Sequence, residues 1–85
     1  MANYKPPRNK AELDAALAQA RMTPNYIDRL NLFLAKANLL QWYECSLYCA
    51  PDRLDLFRNT ICMLIVYGGA HVEFNNDYTK FRRYA

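Results

Sequence analysis

Apolar residues recur at helical spacing along most of this chain, and a few punctuating residues divide them into three segments. Leu13, Ala16, Leu17 and Ala20 form one narrow stripe. Asn9 stands where an N-cap belongs and Glu12 follows three residues later, close to a capping box, so a helix is predicted from Lys10 to about Arg21. Thr23-Pro24 starts the next helix, threonine as cap and proline at the first position, where a missing N–H does no harm. Ile27, Leu30, Phe33, Leu34, Ala37, Leu40 and Leu47 lie on one broad stripe, with Leu32, Leu39, Trp42 and Tyr43 off it. Pro51 disfavours helical backbone at Ala50, so this helix is expected to end near Cys49. A helix over residues 24–49 is about 39 Å long. That exceeds the diameter of so small a globule, and a bend near Asn38 or a protruding end is expected.

The third segment opens at Pro51-Asp52. Leu54, Phe57, Ile61, Leu64 and Ile65 keep helical spacing to Tyr67, and Gly68 suits a left-handed residue after the helix. A rival reading makes Thr60–Tyr67 a strand, turns the chain at Gly68-Gly69 and continues through Ala70, Val72 and Phe74 as a hairpin. The helix is preferred, because Pro51-Asp52 is a good start and an isolated hairpin is marginal. Asn75-Asn76-Asp77 signals a turn, after which Tyr78, Phe81 and Tyr84 recur among basic residues. The expected fold is therefore mainly α: a small three-helix domain with a short irregular or two-stranded C-terminal segment. Residues 1–8 form an extended basic arm around Pro6-Pro7, residues 9–77 a single helical domain, and residues 78–85 a basic-aromatic tail. The expected core comprises Leu13, Leu17, Ile27, Leu30, Leu34, Ala37, Leu40, Leu54, Phe57, Ile61, Leu64 and Ile65.

Composition fits one domain: 85 residues, 53% hydrophobic and 22% charged. The net charge of +3 hides an arrangement. Lys5, Arg8 and Lys10 at one end and Lys80, Arg82 and Arg83 at the other carry +6, while residues 11–79 sum to −3. Basic ends can neutralise phosphates or dock on an acidic protein face. No helix in this reading carries a basic face, and the first two helices make a poor helix-turn-helix, since the second begins with only Arg29 and Asp28.

Cys45, Cys49 and Cys62 are odd in number, and no secretory leader is expected before them. Reduced thiols in a cytoplasmic protein are expected. A zinc set with His71 would need C-x3-C in a helix rather than a knuckle in a turn, so neither metal nor any other cofactor is expected. No membrane span is expected, because the longest apolar run, Ile61 to Tyr67, is far too short.

The sole histidine, His71, has no nucleophile motif around it, and the only two glycines form one pair, too few for a phosphate-cradling loop. Asp52 and Asp55 suit the first turn of a helix, where the dipole favours them. The chain does not read as an enzyme. Aromatics at 14% are its unusual feature, and tyrosine, tryptophan and arginine are the types that anchor interfaces. The expected function is a small non-catalytic protein-binding module: an adaptor, inhibitor or accessory protein of a size that phages and mobile elements often encode. Its partner-binding residues are expected to be Trp42 and Tyr43 with the tail residues Tyr78, Phe81, Arg82, Arg83 and Tyr84. The alternatives are a nucleic-acid-binding protein using the basic arms, with tail aromatics stacking on bases, and a structural subunit of a larger assembly.

Overall fold

A computed structural model of the chain describes residues 4–85. Three α-helices and a small sheet make up the domain: α1 (Lys10–Ala20), α2 (Pro24–Lys36), β1 (Tyr43–Glu44), α3 (Leu54–Gly68), β2 (Val72–Phe74) and β3 (Lys80–Arg83). Short 3-10 turns occupy Cys45–Leu47 and Pro51–Arg53. The mainly α reading holds, and the caps act as their residue types dictate. The Asn9 side chain accepts from the Glu12 backbone N–H at 2.9 Å, and the Thr23 hydroxyl from that of Tyr26 at 3.4 Å. Gly69 rather than Gly68 takes the left-handed position after α3, at φ 66°, and the Ala70 N–H returns to the Leu64 carbonyl. The helix reading of residues 60–67 is correct.

The second helix is much shorter than its apolar pattern predicts. It stops at Lys36, and Ala37 turns extended. Its last carbonyls find a partner 46 to 49 residues away: Nη1 of Arg83 donates to Leu34 O at 3.2 Å and reaches Ala35 O and Ala37 O at 3.4 and 3.5 Å. The Leu40 N–H donates to the Arg83 carbonyl at 2.7 Å, with Leu40 held at φ 62°. The chain after α2 is thus drawn onto β3. A straight helix to Cys49 would overrun the molecule, whose longest extent is 31 Å.

The C-terminal segment is two-stranded, β2 and β3, as expected, and β1 adds a third strand from earlier in the chain. Three strands lie in the order β1-β3-β2, with β3 antiparallel to both neighbours. Tyr43 and Phe74 both face Phe81, and Glu73 faces Arg82. The expected tail over 78–85 therefore contains the central strand of the sheet. Asn75 organises the turn that precedes it, its Oδ1 accepting from the Thr79 and Lys80 N–H groups.

One face of the sheet closes the core. Phe81 is fully buried and meets the rings of Phe33, Tyr43, Tyr48 and Phe57 within 6.0 Å. Leu30, Leu34, Ile61, Leu64, Val72 and Cys45 complete that core. Leu40, expected inside, is exposed, because it sits in the loop beyond α2. Leu17, Ile27, Leu54 and Ile65 are only half-buried.

Residues 1–3 of the expected arm lie outside the described residues. Further along it, Tyr4 is docked rather than free. Its ring lies 5.0 Å from the guanidinium of buried Arg58 and its hydroxyl donates to Asn59 Oδ1 at 2.9 Å. Desolvation there holds the phenol well above its ordinary range.

The Arg83 contact makes a first prediction. Arg83→Ala leaves the last carbonyls of α2 without this donor and should cost about 1–3 kcal/mol. Arg82→Ala, on the opposite side of the same strand, should cost about 1 kcal/mol or less, since its ion pair is part-exposed. Urea midpoints of the two variants check the order, and equal midpoints would remove Arg83 as the stop of α2.

Candidate functional site

Alternation along β3 sends successive side chains to opposite faces of the sheet. Phe81 and Arg83 go inward, and Lys80 and Arg82 go outward. The register places Glu44 opposite Lys80 and Glu73 opposite Arg82. No helix packs over this outer side among the described residues: Glu44, Trp42, His71, Lys80 and Tyr84 are all exposed.

Trp42 is the centre of the outer side. It is 41% exposed and its ring lies 4.4 Å from the Arg82 guanidinium carbon. Arg82 is in turn fixed by Glu73, with Nε to Oε2 at 2.7 Å. A tryptophan stacked on an arginine that is itself held by a carboxylate has lost much of its rotamer freedom while keeping its apolar surface in water. At one end of the same face, Tyr84 meets His71 edge-on at 5.7 Å. Leu39 and Leu40, in the loop leading to Trp42, are 53% and 55% exposed.

The expected binding residues therefore separate into two groups. Trp42, Arg82 and Tyr84 lie at the surface, and the first two are in contact. The other four serve the fold. Phe81 is buried and cannot meet a partner. Tyr43 stacks on Phe81, and its hydroxyl accepts from the Asn38 N–H at 2.8 Å. Tyr78 packs between Tyr4 and Phe74. Arg83 is occupied by the carbonyls of α2. Tyr78, Phe81 and Tyr84 recur every three residues in the sequence. The strand sends Phe81 inward and Tyr84 outward, while Tyr78 lies in the turn before it, at φ 56°. Glu73 went unnoticed in the sequence, where only its alternation with Val72 and Phe74 hinted at an outward position.

A second concave surface also went unnoticed. A cavity of about 390 Å³ opens between α2 and the segment from Tyr48 to Arg53, with Arg29 and Arg53 at its edges and Leu30, Phe33 and Phe57 along its walls. Tyr26 and Cys49 line it too, and burial pushes both the phenol and the thiol up.

The cysteines are free, and Cys45 is fully buried with its thiol pushed up to about 11 by desolvation, which outweighs the pull of the Arg58 charge. Among the described residues no group of three or more His, Cys, Asp or Glu side chains converges as metal ligands would. Nor is any helix among them long and apolar enough to cross a membrane. Comparisons with protein-family models, curated proteins and solved structures find no match to this chain.

Proposed function

We propose that this chain is a small non-catalytic protein-binding module, and that it meets its partner with the uncovered side of the sheet around Trp42. The observation that carries the reading is Trp42 itself, exposed yet held in place by Arg82 and Glu73. Exposed apolar surface beside fixed polar groups is what a binding hot spot requires, and tryptophan, tyrosine and arginine are the residues most enriched there. An anchor already ordered loses less entropy on binding than a mobile one. Leu39, Leu40 and Tyr84 extend the apolar surface around it. The charges argue against phosphate as the target: Lys80 and Arg82 are matched on this face by Glu44 and Glu73, so the face is neutral and offers no attraction to a polyanion.

The test is affinity capture from the native host with the parent chain, Trp42→Ala and Arg82→Glu, each with and without nuclease. Trp42→Ala should weaken a specifically captured protein by about 30-fold or more, the loss of about 2 kcal/mol expected of a central aromatic anchor. Its melting curve should stay close to the parent's, because the ring is not part of the core. Capture that survives Trp42→Ala unchanged would refute the reading. Capture abolished by nuclease would replace it with nucleic-acid binding.

A further inference from the structure

Three polar groups at the cavity beside α2 have no partner inside the protein among the described residues. Arg29 and Arg53 both line it, and neither side chain has an ion-pair or hydrogen-bond partner among the described residues. The Tyr26 hydroxyl is buried and likewise lacks a partner. Burial penalises that phenolate, while the charges of Arg53 and Arg29 act on it in the opposite sense, so both cations lie within electrostatic reach of the hydroxyl. No carboxylate lines the cavity. Arg29 and Phe33 also line a second hollow of about 320 Å³, bounded as well by Leu32, Lys36, Ala37 and Tyr43. The two adjoining hollows form a grooved surface beside α2, with three cations and several aromatic side chains among their lining residues. This reverses the expectation that no helix presents a basic face: Arg29 and Lys36, seven residues apart, lie along the same side of α2.

The chemistry of the groove restricts its occupant. Two guanidiniums and a phenol O–H are donors without an acceptor, so they call for an anion with several acceptor oxygens. Walls of Leu30, Phe33 and Phe57 call for apolar side chains next to that anion. A continuous polyphosphate fits poorly, since exposed Asp28 and Asp52 adjoin Arg29 and Arg53 in the chain and interrupt the positive field. A polypeptide with carboxylates spaced among apolar residues matches both features.

We propose that this groove binds an acidic peptide segment of the partner protein, with a carboxylate side chain seated between Arg29 and Arg53, the Tyr26 hydroxyl donating to it, and an apolar side chain against Phe33 and Tyr48. The proposal rests on the protein-binding reading but uses a surface other than the Trp42 face, so the two can fail separately.

The probe is an array of fluorescein-labelled peptides about ten residues long, with one or two Asp or Glu at every spacing among Leu, Phe, Tyr and Ala. Each has a twin carrying Asn or Gln in place of the acid, and an oligothymidylate of similar length serves as the polyphosphate. Binding is read by fluorescence anisotropy. Acidic members of the array should bind, and their amide twins should bind at least about tenfold more weakly, as expected for loss of a charge-assisted pair. Arg29→Ala and Arg53→Ala, at exposed positions that leave the fold intact by circular dichroism, should each weaken the best peptide about tenfold or more. Tyr26→Phe should weaken it a few-fold, in line with the loss of one neutral donor. Trp42→Ala should leave peptide binding unchanged. The proposal is overturned if no acidic peptide binds above its amide twin, if both arginine variants bind like the parent, or if oligothymidylate binds as tightly as the best peptide and competes with it. Peptide binding lost only in Trp42→Ala would overturn the groove while leaving the protein-binding reading standing. Loss in the arginine variants, together with host-protein capture indifferent to Trp42, would support the groove and refute the sheet face.

Discussion

Phe81→Ala should be the most damaging single substitution in this protein. Phe81 is fully buried on the central strand, and four aromatic rings pack around it. Truncating a buried phenylalanine costs about 3–5 kcal/mol, from lost transfer energy and from the cavity left behind. A domain of this length has a total stability of roughly 4–13 kcal/mol. The variant should therefore melt far below the parent or fail to fold. Leu47→Ala, at a residue 72% exposed, is the matched control and should stay within about 0.5 kcal/mol. Urea and thermal unfolding followed by circular dichroism measure both, and a Phe81→Ala midpoint near the parent's would show that β3 does not hold the core together. The same reasoning bears on truncation. Removing residues 78–85 removes the central strand, so a chain cut after Asp77 tests folding rather than binding.

Stability should also fall at alkaline pH, with Cys45 as a principal source. Burial raises its thiol from 9.0 to about 11. The folded protein thus favours the protonated thiol more than the unfolded chain does. That stabilisation is complete below about pH 9 and is lost as pH rises through about 11. Two units correspond to about 2–3 kcal/mol. Cys62, Cys49, Tyr4 and Tyr26 are shifted upward as well, again chiefly by desolvation, and they act in the same sense. Urea midpoints of the reduced protein, taken from about pH 8 to about pH 11, should drop steeply in the upper half of that range. Cys45→Ala should begin lower and decline less. A profile as steep in Cys45→Ala as in the parent would place the effect elsewhere.

The starts of α1 and α2 were legible because capping is local: one side chain meets a backbone N–H three residues on. The end of α3 was legible to within a residue, since a left-handed position favours glycine. The end of α2 was not. Residues 37–42 contain neither glycine nor proline, and their apolar spacing continues a helical pattern. What stops the helix is Arg83, which takes its terminal carbonyls. The same long-range pairing releases Tyr43–Glu44 to become a strand and leaves Trp42 opposite Arg82.

The candidate site divides along the same line. Trp42, Arg82 and Tyr84 could be named from residue type alone, because an amphipathic side chain in so small a domain has few places to hide. Their separation from Phe81 and Arg83 needed the strand, which converts a three-residue recurrence into two faces. The groove was invisible in the sequence because Arg29 and Arg53 belong to different segments and meet only through the packing of α2 beside the turn before α3. By itself the sequence determined the helical class, the starts of α1 and α2 and the aromatic and basic residue types at hand, since caps and periodicity act over a few residues; α3 begins at Leu54, after a 3-10 turn over the expected start at Pro51. Only the tertiary structure decided where α2 ends, that the last residues form the centre of a sheet, and which cations share a groove, because each of those depends on groups dozens of residues apart.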